Sequence, residues 1–240
     1  MEQFTNWEKF WQEWYKKEVE TEADLYYQVA KTINKEPIRK EIFDLINTNI
    51  CEILALDKNE NLVEFCCGNG LCTFDFSKVA RQVIAVDYSQ HLIETARKHK
   101  SAPNITYHLA NICDFLEGFK AEYDFQPRRF LMNDSLAYFE TTDLERILRS
   151  IISISSPDFR FLIRGVPNDE LKWNFYNTEE RKQKYLDGVA SGDYTNAGMG
   201  RWWKPSEIET VCAGLHLKFS IRNQVPPISN YRMDILISGK

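Results

Sequence analysis

The spacing of apolar side chains divides the chain into two parts. Over residues 1–58, apolar positions recur at three- and four-residue steps, which is typical of helices with one buried face. Helices are expected near 7–15, over 22–33 and over 37–56, with Pro37 near the first turn of the third. The first helix carries an aromatic stripe of Trp7, Phe10, Trp11, Trp14 and Tyr15. We interpret this part as a helical cap.

From residue 61 onward, short apolar runs alternate with helical periods. This predicts an α/β fold, with a mostly parallel sheet and helices on both faces. Strands are expected near 61–66, 82–87, 104–109, 129–133, 159–165, 216–224 and 231–238, the last two as an antiparallel hairpin. Helices are expected near 71–80, 90–100, 142–153, 169–187 and 205–214. Their predicted start signals are Ser89 as an N-cap, Thr142 with Glu145 as a capping box, and Pro205 in a first turn. The chain then forms one domain over 1–240, with its core at 59–240.

The segment 165–204 is too long for a simple connection between two elements. It interleaves Trp173, Phe175, Tyr176, Tyr185, Tyr194, Trp202 and Trp203 with Gly188, Gly192, Gly198 and Gly200. An aromatic loop with glycine hinges at the carboxyl edge of a sheet suits a substrate cover. The alternative is a small satellite core beneath a surface loop.

The most informative motif begins in the first strand of the sheet. The run 62–71 reads as a buried strand that ends near Glu64, followed by a turn with Gly68 and Gly70 and then a helix. Glycine lets the turn adopt positive φ and lets a ligand lie against the backbone. The N-terminus of the following helix attracts negative charge. A nucleotide-like cofactor is therefore expected here.

A second acidic residue narrows the choice of cofactor. Asp87 ends the next apolar strand, 19 residues after Gly68, where a carboxylate can accept hydrogen bonds from ribose hydroxyls. A dinucleotide fingerprint also needs a third small glycine, but Thr73 occupies that position. The dinucleotide fingerprint also gives no role to an acidic residue at the position of Glu64. An NAD-dependent oxidoreductase is therefore the alternative, and a non-catalytic protein with the same fold is another.

These residues resemble the motifs of the class I S-adenosylmethionine-dependent methyltransferases. The run 64–70 resembles their glycine-rich first motif, Asp87 with 88–89 resembles the second, and 105–112 and 130–136 resemble the third and fourth. The resemblance implies a Rossmann-like seven-stranded sheet and S-adenosyl-L-methionine as cofactor. Cys66 departs from the family pattern, because it replaces a glycine and must place a Cβ in the turn. Asn111 departs from it as well, since aspartate is commoner there.

The resemblance also implies a set of site residues. A helix before the sheet often folds over the cofactor in this family, and Tyr26 is the candidate for that contact, with Tyr27 beside it. The expected cofactor-binding residues are Tyr26, Glu64, Cys66, Gly68, Asn69, Gly70, Asp87, Tyr88, Asn111, Ile112 and Asn133. Gly70→Val is expected to exclude the cofactor without disturbing the fold.

Composition limits the partners and the compartment. The net charge is −5 without a basic stripe, which disfavours DNA or RNA as the acceptor. The six cysteines show no CxxC pair or zinc spacing, so no metal is expected. No secretory leader is expected, and no apolar stretch is long enough for a bilayer. A cytoplasmic protein with reduced thiols and a small-molecule acceptor is expected.

The candidate catalytic residues are Asp134 and Tyr138, in the loop after the fourth strand of the sheet. Arg164 and Asn168 are further polar candidates at the acceptor. The histidines, His91, His99, His108 and His216, all fall on elements where a structural role is expected. Oxygen acceptors often enlist a histidine base, whereas an amine can lose its proton to water. The sequence therefore favours methylation of an amine nitrogen over oxygen.

Overall fold

The computed structural model describes residues 7–13, 16–191 and 200–239. Trp14, Tyr15, Gly192, Tyr194 and Gly198, which figure in the predictions above, lie outside these ranges. The strands are β1 (Thr32–Ile33), β2 (Glu36–Pro37), β3 (Asn61–Phe65), β4 (Gln82–Asp87), β5 (Ile105–Leu109), β6 (Arg129–Asn133), β7 (Arg160–Pro167), β8 (Lys218–Asn223) and β9 (Arg232–Ser238). The helices are α1 (Trp7–Glu13), α2 (Glu22–Gln28), α3 (Lys40–Leu54), α4 (Thr73–Val79), α5 (Gln90–His99), α6 (Ile112–Glu122), α7 (Thr141–Ile154), α8 (Lys172–Phe175), α9 (Glu179–Ser191) and α10 (Pro205–Gly214).

Seven strands form the main sheet in the order β5-β4-β3-β6-β7-β9-β8. The first five of these run parallel, β9 is antiparallel to β7, and β8 is antiparallel to β9. The predicted Rossmann-like sheet and its closing hairpin are confirmed. Phe65 is in register with Val86 and Met132, and Asn133 with Arg164, so the carboxyl ends of β3, β4, β6 and β7 meet at one edge. Ligands of open parallel sheets bind at such an edge.

Both faces of the sheet are buried, which explains why its strands read as continuous apolar runs. Phe65, Phe130 and Phe161 pack on one face with α6, α7 and α10. Leu62 and Leu131 point to the other face, where α3 and α4 cover them. Burying each such side chain contributes about 2 kcal/mol. The two layers fix the strand ends that carry the site.

The first part of the chain is less helical than its periodicity predicts. The expected helix over 22–33 ends at Gln28, and the chain then forms the β1–β2 hairpin. Asn34 and Lys35 make its turn with φ of 53° and 68°, as tight hairpin turns require. Pro37 therefore lies in β2, and the third helix begins at Lys40 instead.

Two helix predictions in the second part were wrong in detail. The expected helix over 169–187 is split into a 3-10 turn, α8 and α9, because Tyr176 leaves helical geometry and buries its ring among other aromatic side chains. The predicted Thr142–Glu145 capping box is replaced by Glu140 and Asp143, two residues earlier, since α7 begins at Thr141 with Glu140 as its N-cap. Pro205 is the first residue of α10, as predicted. Ser89 occupies the N-cap position of α5, but its side chain accepts no capping hydrogen bond.

No helix within the described ranges has the length and apolarity needed to cross a bilayer.

Gly70→Val should destabilise the fold, contrary to the sequence-based expectation. Gly70 has φ of 74°, and a Cβ there would lie 2.3 Å from the Tyr107 hydroxyl and 3.2 Å from the Ala96 Cβ. Positive φ and overpacking together should lower the free energy of unfolding by more than about 2 kcal/mol, measured by urea denaturation. Gly118→Ala is the control, because a Cβ there meets nothing within 4 Å and should be neutral or stabilising. A normally stable Gly70→Val protein would contradict this packing role.

Candidate functional site

A cavity of about 640 Å³ opens at the carboxyl edge of β3, β4, β6 and β7. The predicted site residues that line it are Glu64, Cys66, Gly68, Asn69, Asp87, Tyr88, Asn111, Ile112, Asn133, Asp134 and Tyr138. Two predicted cofactor residues lie elsewhere. Tyr26 packs its ring against Phe43 at a centroid distance of 5.4 Å, and Gly70 faces Tyr107 and Ala96. The structure thus brings predicted site residues from positions 64 to 138 together around one space.

The turn after β3 holds its shape through backbone geometry and Asp87. Cys66 and Gly68 have φ of 54° and 58°, so the Cβ of Cys66 is accommodated in the left-handed region. The Asp87 carboxylate accepts hydrogen bonds from the amides of Gly68 and Ser89, both at 2.9 Å. Burial raises the pKa of Asp87, while these amides act in the opposite direction. Each carboxylate oxygen still has a lone pair for a ligand hydroxyl.

Glu64 lies beneath this turn and is almost fully buried. The Thr73 hydroxyl donates to Glu64 Oε2 at 2.6 Å. Burial raises the pKa of Glu64 to about 7, although Thr73 and Lys31 favour the ionised form. Thr73, which the dinucleotide fingerprint cannot explain, is therefore the hydrogen-bond partner of the first acid. A bound cation would shift Glu64 towards its charged form.

Asn69 attaches the cap to the turn. Its Nδ2 donates to the Leu25 carbonyl at 2.8 Å and to Gln28 Oε1 at 2.9 Å, both on α2. Its Oδ1 accepts from the Leu71 amide at 3.3 Å. The amide group of Asn69 is thus engaged in docking α2, and the cap reaches the cavity through the segment after that helix, where Val29, Ala30 and Lys31 line it.

The aromatic stripe of α1 also borders the cavity. The Trp7 and Trp11 rings contact Tyr138 at centroid distances of 4.9 and 5.4 Å. The Tyr88 hydroxyl donates to the Trp7 carbonyl at 3.1 Å. Burial raises the pKa of Tyr138 to about 12, so its phenol is protonated at neutral pH. These contacts place α1 over the cavity.

Lys31, Asp134, Arg164 and Arg232 form a charged group that we call the Asp134 cluster. Asp134 pairs with Lys31, with Arg232 at 2.8 Å and with Arg164 at 3.7 Å. Burial alone would raise the pKa of Asp134, but the three cations outweigh it and hold that pKa well below its usual range. Asp134 has φ of 58°, and a Cβ on Gly165 would lie 1.7 Å from its Oδ1. Glycine at 165 therefore allows the carboxylate to approach β7.

Residues 62–158 match the family model described as a methyltransferase domain. The fold resembles solved methyltransferase structures at low sequence identity. A SAM-dependent methyltransferase from Anabaena variabilis ATCC 29413 is 15% identical, with a TM-score of 0.63 over 100% of this chain and 98% of that one. The match identifies residues 62–158 as a methyltransferase domain, and the fold is that of S-adenosylmethionine-dependent methyltransferases.

Two further structures share this fold and were solved with S-adenosylhomocysteine (SAH). The DhpI–SAH complex is 15% identical, with a TM-score of 0.56 over 83% of this chain and 86% of that one. Magnesium protoporphyrin IX methyltransferase from Synechocystis PCC 6803 with bound SAH is 12% identical, with a TM-score of 0.57 over 87% and 88%. No curated protein matches the chain by sequence.

Several residues that the sequence suggested for the site do not line this cavity. Among the described residues, no histidine lines it. Asn168 instead accepts from the Glu170 amide and donates to Asn223. The described part of 168–203 does not line the cavity either. Trp203 is buried in the main core, and the other described aromatic side chains of the segment pack against one another and against Tyr231. A substrate cover formed by 165–204 stays a prediction, and these other aromatic residues have the geometry of a satellite core.

Lys31 and Arg232 line the cavity and were missed by the sequence reading. Lys31 lies in what was taken for a helix, so its direction could not be inferred. The position of Arg232 could have been inferred from the sequence. It begins the antiparallel strand β9, and the start of an antiparallel strand lies beside the carboxyl end of its neighbour, here β7. Reading the hairpin in that way would have placed Arg232 beside Arg164.

Stability of the ligand-free methyltransferase should depend on Glu64 between about pH 4.5 and 7. The folded protein raises the Glu64 pKa from 4.5 to about 7, so this contribution to stability is present below pH 4.5 and is lost as pH rises through 7. Relative to the parent, Glu64→Gln should gain about 3 kcal/mol of unfolding free energy across that window. Urea denaturation at several pH values measures this difference. A difference that does not change with pH would show that Glu64 is already ionised.

Proposed function

We propose that this methyltransferase transfers a methyl group to a small molecule bound beside the cofactor. The observation that supports this most directly is that one cavity joins the glycine turn and Asp87 to the Asp134 cluster. Its volume of about 640 Å³ suits a cofactor with a small partner, whereas a nucleic acid would need an open basic groove.

The cofactor fits the β3–β4 half of the cavity. Cys66 and Gly68 expose backbone there, and Asp87 can accept from the ribose hydroxyls. Asn111, whose Oδ1 accepts from the Cys113 amide at 2.9 Å, and Ile112 border the place expected for the adenine. Bound S-adenosylmethionine supplies an activated methyl group on a sulfonium, and Glu64 would stabilise that positive charge.

The cap forms part of the same unit in this proposal. Leu25 of α2 and Phe43 and Ile50 of α3 share a core with Leu62 and Leu131 of the sheet. We therefore infer a single domain in which 1–58 serves both as packing for one sheet face and as a cover for the cavity.

The lining side chains favour an acceptor that needs no protein base. Asp134 is held ionised by three cations, Tyr138 is held protonated, and Glu64 is engaged by Thr73. An amine acceptor, which the sequence favours, loses its proton to water. An anionic oxygen is the second candidate, because it carries no proton to remove and the excess of cations in the Asp134 cluster favours it.

Asp87→Ala should weaken SAH binding by about 10- to 100-fold, because it removes hydrogen bonds between a carboxylate and two hydroxyls. Isothermal titration calorimetry measures the affinity, with NAD as the ligand expected not to bind. Asp114→Ala is the control, since Asp114 is exposed on α6. Unchanged SAH affinity in a folded Asp87→Ala protein would contradict the ribose assignment.

Tyr138→Phe should change the KM of the acceptor more than kcat, because a protonated phenol can orient the acceptor but cannot remove a proton. The acceptor is first identified from the product mass after incubating a metabolite panel with a deuteromethyl-labelled donor. The pH–rate profile should then follow the ionisation of the acceptor itself. A collapse of kcat in Tyr138→Phe, with unchanged acceptor binding, would indicate a protein base.

A further inference from the structure

The Asp134 cluster holds more positive than negative charge. Its three cations and one carboxylate give a net charge of +2, and all four side chains line the cavity. The side chains of Lys31 and Arg164 are only 13% and 5% exposed. Buried cations in such excess are costly unless an anion compensates them.

Arg164 has hydrogen-bonding capacity that the described residues do not use. Its Nη1 donates to Asn133 Oδ1 at 3.3 Å, whereas Nη2 is buried without a hydrogen-bond partner among them. A buried donor without a hydrogen-bond partner destabilises the folded protein. A guanidinium presents its N–H groups as a fork that matches a carboxylate or phosphate. The unused Nη2 therefore points to an oxyanion as ligand.

The position of the cluster separates it from the expected ribose site. Arg164 pairs in register with Asn133 at the end of β6, and Arg232 with Pro167 at the end of β7. Asp87 ends β4, on the opposite side of β3. The cations thus lie towards the β7–β9 side of the cavity, away from the acid that is proposed to bind the ribose.

A second, smaller cavity of about 140 Å³ also borders Arg164. Its lining combines the carboxylates Glu52 and Asp234 with Arg164 as the one cation among the described residues, so acidic groups outnumber basic ones there. The larger cavity, where Arg164 lies with Lys31 and Arg232, is therefore the one that an oxyanion would enter.

We propose that the methyl acceptor is a small anion, with a carboxylate, phosphate or phosphonate group bound by Arg164 and Arg232. Lys31, from the segment after α2, contacts the same group from the cap side. This assignment rests on the proposed function, since it names the substrate class of that site. In the absence of the acceptor, Asp134 forms ion pairs with these cations and orients their side chains.

The test uses the full chain saturated with SAH. Two probes of similar shape and opposite charge, benzoate and benzylamine, are titrated first, and methylphosphonate is titrated next. Calorimetry should detect the anions and not benzylamine. Arg164→Gln should weaken anion binding by at least about tenfold, and Arg164→Lys should retain part of it. Arg232→Gln should weaken it as well, and serves if Arg164→Gln fails to fold, because Arg232 is partly exposed.

Asp134→Asn provides a gain-of-binding test. Asparagine tolerates the positive φ at this position, and the substitution raises the net charge of the cluster from +2 to +3. It should tighten benzoate binding by about tenfold, whereas a purely structural ion pair would give no such gain. Preferential binding of benzylamine, no binding of the anions, or unchanged affinity in all of these variants would overturn the proposal.

The cofactor carries a carboxylate too, and a second arm of the experiment separates the two sources. SAH has the amino-acid tail, and 5′-methylthioadenosine lacks it. Arg164→Gln and Arg232→Gln should leave the affinities for both nucleosides within about twofold of the parent. Loss of SAH affinity alone would assign the cations to the cofactor tail and overturn the proposal. A parent protein that binds neither nucleoside would instead contradict the proposed function.

Discussion

The ion pairs of Asp134 connect three parts of the chain that are distant in sequence. Lys31 comes from the cap, Arg164 from β7 and Arg232 from β9, and all three reach one carboxylate. Two backbone features make this possible, the positive φ of Asp134 and the missing Cβ of Gly165. Removing the carboxylate would leave three partly buried cations without an anionic partner. Removing one cation would leave the carboxylate paired with the other two. Through Lys31, Asp134 therefore contributes to the position of the cap over the cavity.

The cap is held by polar contacts at the cavity and by apolar packing behind it. Asn69 bonds α2, Tyr88 bonds the backbone of α1, and Asp134 bonds Lys31. Polar contacts can be exchanged for water or ligand groups at little net cost, whereas the apolar contacts of α3 cannot. The edge of the cap at the cavity is therefore held mainly by polar contacts, and α3 is held by burial of its apolar face.

Sequence patterns predicted the sheet well because period and burial decide it. Buried parallel strands read as apolar runs, and glycine and acid positions at their ends marked the cofactor side. The hairpin at Asn34–Lys35 and the break at Tyr176 could not be read, since both depend on contacts made elsewhere in the fold. The roles of Asn69 and Asp134 were also beyond reach. Residue type placed them at the site, but their partners, Gln28 and Arg232, became neighbours only through tertiary structure.

The charge of the acceptor affects the energetics of transfer in a buried cavity. When a sulfonium methylates an anion, the opposite charges of the two reactants disappear as the new bond forms. When it methylates a neutral amine, positive charge only moves from sulfur to nitrogen. An excess of cations next to the acceptor would oppose the second case and would bind and orient the reactant in the first. Too strong a hold on the reacting anion would also stabilise the ground state. Asp134 reduces that hold by sharing the same cations, so the proposed site balances acceptor binding against reactivity.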